Sequence, residues 1–237
     1  MLAAVLFDWG DTLMTFDWDD EIALAGTRAG LAALRQAELP AADAVGDWFR
    51  DHRDALNEGD DELVLEEVLA RCFSELGCSL VDDDVRLYMQ ASHAAWAEGY
   101  AVSDTTHALL ETLRARALKL AIVSNTAVPG WLLWPTLERQ GLTDRVDAVV
   151  LSSAVGKRKP HRAIFDRALA ELEVEPEQAL FVGDRLREDV GGASALGMRT
   201  VQALWSRADD AEGPEPDFQA FTQMDVLNVV WRLSAES

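Results

Sequence analysis

Carboxylates stand at the ends of two apolar runs in this chain of 237 residues. Asp8 follows the run VLF in the stretch FDWGDTL, and Asp184 follows LFVG in VGDRLRED, with Asp189 five positions further on. Carboxylate oxygens are ligands that Mg²⁺ prefers, and a carboxylate can also attack phosphorus as a nucleophile. These residues therefore indicate a cation site with a nucleophile, provided that the fold brings them together.

Two further polar stretches supply groups that suit a phosphoryl group. Ser124 and Asn125 follow the apolar run LAIV, and Lys159 lies in GKRKPHR, two positions after Lys157. A hydroxyl and an ammonium group hold phosphoryl oxygens and stabilise the charge that develops during transfer. Each stretch is weak evidence alone. All four in this order, each at the end of a predicted strand, form a specific signal.

The elements that must position these residues follow from the apolar pattern. Near-continuous apolar strands that alternate with helices are typical of a parallel sheet covered on both faces. Ligands bind at the carboxyl ends of the strands in such open α/β sheets. We therefore expect an α/β fold with a Rossmann-like parallel core. The predicted strands are residues 2–7, LKLAIVSN, DAVVLSS, QALFVGD and MRTVQALW.

Residues 15–100 lack such strands and show four helical patterns instead. The predicted division is a core domain of residues 1–14 and 101–237, interrupted by an all-helical domain of residues 15–100. The acidic cluster at residues 17–21 is interpreted as negative charge at a helix start, where it favours the helix dipole, rather than as a set of metal ligands.

The composition argues against several classes of partner. The net charge of −21 opposes binding to nucleic acid and to anionic lipid. Charged residues interrupt each apolar run before 18 residues, so no membrane span is predicted, and the short N-terminal run has no basic region typical of a signal peptide. Cys72 and Cys78 are expected to be buried thiols of a cytoplasmic protein. The sequence does not predict the oligomeric state.

With its four stretches in this order, the chain resembles the haloacid dehalogenase superfamily, in the branch with a helical cap domain after the first motif. The family pattern is a strand and Asp-x-Asp-x-Thr, a strand and Ser or Thr, a Lys near a helix start, and a strand and Gly-Asp-x-x-x-x-Asp. The resemblance covers essentially the whole chain. It implies an Mg²⁺-dependent hydrolase, a phosphatase that acts on a small phosphorylated metabolite through an aspartyl-phosphate intermediate.

The resemblance also implies roles for the matched residues around the phosphoryl group. Asp8 is the nucleophile, and Lys159 neutralises both Asp8 and the phosphoryl group. Ser124 and Asn125 bind phosphoryl oxygens. Thr12 orients the loop of the first motif.

By the same resemblance, Mg²⁺ is held by Asp8, by the backbone carbonyl of Gly10 and by Asp184. Asp189 holds either Lys159 or a water bound to the metal. Trp9, next to the nucleophile, either shapes the substrate pocket or packs the loop, and both interpretations stay open.

One position departs from the family pattern. The second Asp of the first motif is the general acid and base of the family's phosphatases, but here that position is Gly10, and Asp11 takes the next position, where Gly is usual. Three explanations remain open. Asp11 takes over the catalytic role, or water or a cap residue supplies the proton, or the chain binds a phosphorylated ligand or a protein without turnover.

Two other chemistries of the family are disfavoured. The dehalogenases do not carry the Gly-Asp-x-x-x-x-Asp pattern that is present here. The phosphonate-cleaving members use a cap lysine as a Schiff base, and residues 15–100 contain no lysine.

Overall fold

A computed structural model describes residues 1–16, 20–36, 38–56, 58–206 and 212–235. These residues form a parallel sheet of six strands in the order β3-β2-β1-β4-β5-β6. The predicted α/β, Rossmann-like core is thereby confirmed. The strands are β1 (Ala4–Phe7), β2 (Lys119–Ser124), β3 (Ala148–Leu151), β4 (Ala179–Gly183), β5 (Arg199–Ala203) and β6 (Phe218–Ala220).

Strand β1 lies near the middle of the sheet and is buried on both faces. Phe7 is in register with Ile122 of β2 on one side and with Val182 of β4 on the other. Val5 and Phe7 pack into one hydrophobic cluster, whereas Ala4 and Leu6 pack into a second. Burial on both faces explains why this strand is a continuous apolar run rather than an alternating one. It also places the residue that follows, Asp8, at the carboxyl edge of the sheet between β2 and β4.

Helices cover the sheet between the strands. Ser103 caps the helix that precedes β2, because its hydroxyl accepts a hydrogen bond from the Thr106 N–H at 3.1 Å. The helices after residue 100 are α6 (Asp104–Arg114), α7 (Gly130–Arg139), α8 (Ser152–Val155), α9 (Arg162–Leu172), α10 (Gly192–Ser194) and α11 (Asp225–Ala235). A π-helical turn, Leu186–Gly191, precedes α10.

Two details of the core differ from the prediction. Strand β6 was not predicted, since its three residues at the sheet edge are too few to show a period. The pattern KPHRAIFDRALAELEV predicts a helix with Pro160 in its first turn, but this helix, α9, begins at Arg162. The ring of His161 caps it, with Nδ1 accepting a hydrogen bond from the Ala163 N–H at 3.2 Å.

Between β1 and β2 the described residues form helices, as predicted. This helical insertion contains α1 (Asp20–Ala33), α2 (Ala42–Asp51), α3 (Arg53–Leu56), α4 (Leu65–Glu75) and α5 (Asp82–Ala97). Residues 17–19 of the acidic cluster lie outside the described residues, while Asp20 and Glu21 stand in the first turn of α1. The chain passes from core to insertion near Thr15 and back to the core near Ala101. These two residues form backbone hydrogen bonds with each other, of 2.9 and 3.0 Å.

Helix α4 starts later than its sequence pattern predicts. The pattern runs from Asp61, but the helix begins at Leu65. The intervening residues are in a loop instead, where Asp61 pairs with Lys157 of the core. Long-range pairing therefore overrides the local helical pattern at this point.

Helices α1 and α5 pack closely because two glycines face α5. A Cβ at Gly26 would lie 1.8 Å from Nε1 of Trp96, and a Cβ at Gly30 would lie 2.3 Å from Oγ of Ser92. Both distances are too short for a side chain. The small residues one helical turn apart on α1 therefore set the separation of the two helices.

Two expectations from composition can be compared with the structure. Cys72 and Cys78 are both free and buried. Among the described residues, no helix has the length and apolar character needed to cross a membrane.

The first prediction concerns the glycines of the insertion. Gly26→Ala is expected to lower the free energy of unfolding by about 1–3 kcal/mol, since the new methyl group overpacks against Trp96. Gly46→Ala is the matched control on α2, where the nearest atom to a new Cβ is Arg50 Nη1 at 3.5 Å. In this control the free energy of unfolding should rise by about 0.5–1 kcal/mol, because alanine loses less backbone entropy than glycine when a helix forms. Urea unfolding measures the free energy of unfolding of both variants. Equal changes in Gly26→Ala and Gly46→Ala would contradict the packing argument.

Candidate active site

The carboxyl edge of the sheet brings the predicted acidic residues together. Asp8 follows β1, Asp184 follows β4, and Asp189 lies in the π-helical turn after β4. All three are buried, and each offers an oxygen within 4.8 Å of the others. The sequence expectation that these carboxylates share one site therefore matches their positions.

Lys159 is a buried cation within this cluster. Its Nζ lies 2.6 Å from Oδ1 of Asp8 and 2.7 Å from Oδ1 of Asp189, and it donates to the carbonyl of Val123 at 2.9 Å. Its side chain is only 2% exposed. The ammonium group thus holds the first and fourth motifs together. Lys157 instead forms an ion pair with Asp61 of the insertion.

The backbone of Lys159 is fixed by Asn125. The Lys159 N–H donates to Oδ1 of Asn125 at 2.6 Å, and Nδ2 of Asn125 donates to the carbonyl of Lys159 at 3.0 Å. The side-chain amide of Asn125 is therefore engaged in positioning Lys159. Ser124, the last residue of β2, is buried and lines the cleft in front of Asp8.

Burial and charge shift the pKa values of the central pair. Burial raises the pKa of Asp8 to about 6; the attraction of Lys159 opposes this shift and the negative charge of Asp189 adds to it. Burial disfavours the charged form of Lys159, but the attraction of Asp189 and Asp8 outweighs it and raises the lysine pKa to about 12. Lys159 is therefore a permanent cation.

The donor set suits a divalent cation. Three buried carboxylates and one ammonium group carry a net charge of −2 when all are ionised, and buried excess charge of this kind is costly. A divalent cation would neutralise it, and Mg²⁺ takes oxygen ligands and keeps several waters. Oxygen ligands, burial and excess negative charge thus all agree with Mg²⁺.

Asp189 is held by the close turn after β4. Its Oδ2 accepts a hydrogen bond from the Arg185 N–H at 3.0 Å. A Cβ at Gly183 would lie 2.4 Å from Cγ of Asp189, so glycine is required for this approach. The Gly of the fourth stretch thus allows its second Asp to reach Lys159.

The loop of the first motif keeps a left-handed residue at Asp11, where φ is +57°. The family pattern has Gly there, and Asp is among the side chains that tolerate this conformation. The Thr12 carbonyl accepts a hydrogen bond from Nε1 of Trp205 at 3.0 Å, which anchors the loop. The Oγ1 of Thr12 is buried with no hydrogen-bond partner in the described part of the chain.

Gly10 faces open space. A Cβ built there meets no atom of the described structure within 4 Å, and its φ is not in the left-handed region. Gly10 and Asp11 both line the cleft beside Asp8. The exchanged order of Gly and Asp therefore leaves room beside Asp8 where the family's second carboxylate would stand.

The cleft in front of Asp8 has a volume of about 1030 Å³ and an aromatic wall. Trp9 is 6% exposed, packs edge-on against Tyr100 at 5.3 Å and donates from Nε1 to Oε1 of Gln140 at 3.3 Å. Phe16 packs against the same Tyr100 ring at 4.7 Å. Trp9 therefore lines the cleft and packs against Tyr100, while its role in a substrate pocket stays a prediction.

The helical insertion reaches the cleft through the loop of residues 58–62. The Arg158 N–H donates to the carbonyl of Asp60 at 2.9 Å, and the Glu62 N–H donates to the carbonyl of Gly156 at 3.1 Å. Asp60 lines the cleft and forms an ion pair with Arg187 at 3.5 Å. This loop is therefore docked onto the segment that carries Lys159.

Sequence reasoning missed Tyr100, Phe16 and Asp60 as cleft residues. The helical pattern of the sequence starts at Asp61, and Asp60 lies just before it, after Gly59, with no signal that it reaches the cleft. Phe16 and Tyr100 lie where the chain enters and leaves the insertion. The change of sequence pattern at these two points is the signal that could have indicated them. The places of all three residues in the cleft depend on how the insertion packs against the core.

A family model described as haloacid dehalogenase-like hydrolase matches residues 2–197 of the chain. The chain belongs to this family. The resemblance seen in its four motifs is thus confirmed, and the protein is an enzyme of the hydrolase class.

Two curated relatives of this haloacid dehalogenase-like hydrolase are named as phosphatases. A glyceraldehyde 3-phosphate phosphatase of Methanopyrus kandleri is 30% identical over 243 residues, which cover 100% of each chain. A ribulose-1,5-bisphosphate 5-phosphatase of Halopiger xanaduensis is 36% identical over 114 residues, 48% of this chain and 46% of its own.

Solved structures show the same fold. A phosphatase of the family from Thermococcus onnurineus superposes with a TM-score of 0.69 at 24% identity, covering 97% of this chain and 98% of its own. A 2-haloacid dehalogenase from Pseudomonas syringae pv. Tomato DC3000 superposes with a TM-score of 0.72 at 22% identity, covering 98% and 100%. A phosphatase and a dehalogenase share this fold, so the fold alone does not show which of the two reactions this protein catalyses.

The second prediction tests the buried cation. Lys159→Met keeps the length of the side chain but leaves Asp8 and Asp189 without their partner, so the hydrolase should lose about 3–5 kcal/mol of stability in metal-free buffer. Lys157→Met is the matched control, because its ion pair with Asp61 is exposed. Denaturant unfolding in EDTA should show a large loss for Lys159→Met only. Similar losses in both variants would contradict the structural role of Lys159.

Proposed function

We propose that this hydrolase is a phosphatase of small phosphorylated metabolites and that Asp8 is its nucleophile. The observation that carries the proposal is the buried Asp8 carboxylate at the cleft, fixed by Lys159 and accompanied by Asp184 and Asp189. The names of the relatives support phosphate ester hydrolysis.

The proposed reaction has two displacements at phosphorus. An Asp8 oxygen attacks the phosphorus, the bond from phosphorus to the ester oxygen breaks, and an aspartyl phosphate forms. The leaving oxygen takes a proton from Asp11 or from water, the two sources that the fourth prediction separates. Water then attacks the same phosphorus, and the phosphorus–carboxylate bond breaks to give inorganic phosphate and free Asp8. Ser124 and the backbone N–H of Asn125 hold phosphoryl oxygens, and Lys159 orients Asp8 and balances the charge.

Mg²⁺ is the proposed cofactor. Asp8, Asp184 and the backbone carbonyl of Gly10 would hold it, while Asp189 keeps Lys159 in place. When bound, the ion would supply positive charge to the phosphoryl oxygens. A divalent ion here would also neutralise the excess negative charge of the buried carboxylates described above.

Residues 15–100 are proposed to act as the cap domain over the cleft, with residues 1–14 and 101–237 as the core domain. The docked loop of residues 58–62 and the Thr15–Ala101 pairing support this division. The cap then excludes water from the reacting phosphoryl group and contributes Asp60 to the cleft.

The third prediction is the direct test of the proposed function. Phosphate release is measured with glyceraldehyde 3-phosphate and a panel of other small phosphate esters, in Mg²⁺ and in EDTA. We expect release in Mg²⁺ and none in EDTA. Asp8→Asn should lower the rate on the order of 10³-fold or more, because the amide is nearly isosteric but not nucleophilic.

The circular dichroism spectrum of Asp8→Asn should match that of the wild type, which shows that the fold is intact. Tight binding of esters without release by the wild type would instead support the alternative, a non-catalytic member of the family. Full activity in EDTA would remove Mg²⁺ from the proposal, and retained activity of Asp8→Asn would refute the nucleophile.

The fourth prediction concerns the exchanged Gly10 and Asp11. A general acid typically contributes on the order of 10²–10⁴-fold, chiefly for poor leaving groups. If no acid acts here, aryl and acyl phosphates should react far faster than alkyl phosphates. Gly10→Asp should then raise the alkyl rate selectively, since the structure leaves space for the side chain.

If Asp11 has taken over the role, Asp11→Asn should depress the alkyl rate most and the aryl rate least. Rates of the wild type and both variants on one alkyl and one aryl ester separate these cases. Equal effects of both substitutions on both esters would show that neither position handles the proton.

A further inference from the structure

Glu62 of the helical insertion is connected by hydrogen bonds to the loop that follows β2. We call residues 124–126, whose first two members are proposed to hold the phosphoryl oxygens, the phosphoryl loop. Oε2 of Glu62 accepts a hydrogen bond from the hydroxyl of Ser152, the first residue of α8. Ser152 is fully buried, and its Oγ accepts a hydrogen bond from the Thr126 N–H at 2.7 Å. The insertion therefore reaches the phosphoryl loop through a single buried hydroxyl group.

The Ser152 hydroxyl has one proton and two acceptors within reach. These are Oε2 of Glu62 and the carbonyl of Thr126, which lies 3.2 Å from Oγ. A carboxylate is the stronger acceptor, so the proton goes to Glu62, and Oγ meets the Thr126 N–H as an acceptor. Without the carboxylate the hydroxyl would turn to the Thr126 carbonyl. Glu62 thus fixes the direction of the hydroxyl that holds the end of the phosphoryl loop.

The backbone holds the Glu62 carboxylate in this position. The Glu62 N–H donates to the carbonyl of Gly156 at 3.1 Å, and Oε1 accepts a hydrogen bond from the Leu63 N–H at 2.9 Å. The neighbouring Asp61 differs, because its side chain is 80% exposed and pairs with Lys157. The negative charge of Glu62 gives a bound phosphate no attraction. Its place beside the phosphoryl loop is therefore explained by the hydrogen bond to Ser152 rather than by its charge.

The phosphoryl loop also positions the buried lysine of the cleft. Asn125, which precedes Thr126, forms two hydrogen bonds with the backbone of Lys159. The Lys159 ammonium group in turn lies 2.6 Å from Oδ1 of Asp8. A shift of Thr126 would therefore affect both the groups that hold the phosphoryl oxygens and the cation that orients Asp8.

We propose that Glu62 is a positioning residue, which acts through Ser152 to fix the phosphoryl loop in the geometry that binds the transferred group. This inference rests on the proposed phosphatase function. It means that the phosphoryl site of the core is complete only when residues 58–62 of the insertion are docked beside it.

The inhibition constant of inorganic phosphate tests this link, because it does not depend on how much of the enzyme is folded. Hydrolysis of p-nitrophenyl phosphate is followed in Mg²⁺ as phosphate is added. Glu62→Ala should weaken the inhibition by phosphate about tenfold, as expected for the loss of one hydrogen bond to a charged group. Loss of a negative charge alone favours anion binding instead. An inhibition constant that is unchanged or tighter in Glu62→Ala would overturn the proposal.

Two further variants separate the hydrogen bond from the charge. Asp61→Ala is the matched control, since it removes the same charge from the same loop but breaks only an exposed ion pair, and its inhibition constant should be nearly that of the wild type. Glu62→Gln keeps an oxygen that accepts from Ser152, so its inhibition constant should lie between those of the wild type and Glu62→Ala. Equal weakening in Asp61→Ala and Glu62→Ala would contradict a specific role of Glu62.

Ser152→Ala tests whether Glu62 acts through this hydroxyl. The substitution should weaken phosphate inhibition at least as much as Glu62→Ala does. Adding Glu62→Ala to Ser152→Ala should then cause no further change, because the two residues act in series. A further weakening in the double variant as large as that of Glu62→Ala alone would overturn the link.

The wild type separates this inference from the proposed function. If the wild type releases no phosphate from any ester, the phosphatase proposal fails, and calorimetric titration with inorganic phosphate in Mg²⁺ replaces the inhibition assay. Weaker phosphate binding by Glu62→Ala would still support the link in that case. Turnover by the wild type with equal inhibition constants in the wild type and Glu62→Ala would leave the phosphatase proposal standing and refute the role of Glu62.

Discussion

The ammonium group of Lys159 is the interaction on which the catalytic cleft depends. It lies between Asp8 and Asp189 and so connects the loop after β1 with the turn after β4. A buried charge is tolerated only when it is paired and hydrogen-bonded, and here two carboxylates and a backbone carbonyl supply the partners. Much of the surrounding structure serves this arrangement. Asn125 fixes the backbone of Lys159, and Gly183 leaves space for Asp189.

The same arrangement connects the helical insertion to the residues of the cleft. The segment that carries Lys159 is also the segment onto which residues 58–62 dock. The insertion thus reaches the cleft through this loop and contacts the segment that carries Lys159. The exchanged positions of Gly10 and Asp11 stand out against this well-supported site. The loop has a left-handed residue at Asp11, where the family pattern has Gly, and both Gly10 and Asp11 line the cleft.

The core was predictable because its signals are local. A strand buried on both faces, such as β1, is a continuous apolar run, and the polar residue that ends it falls at the ligand-binding edge. The clustering of Asp8, Ser124 and Asp184 at this edge could therefore be predicted from sequence, while their roles stay a prediction. Asp60 and Tyr100 could not, because their places depend on how the insertion sits on the core. Asp61 shows the limit clearly. Its neighbours have a helical pattern, yet long-range pairing with Lys157 holds it in a loop.

The central claim is that the Asp8 carboxylate receives the phosphoryl group. It is tested most directly by mass spectrometry of peptides from enzyme that is quenched in acid during turnover of a phosphate ester. We predict a phosphoryl group on the peptide that contains Asp8, removable by hydroxylamine and absent from Asp8→Asn. Rapid phosphate release with the Asp8 peptide unmodified, or with the phosphoryl group on another residue, would contradict this account.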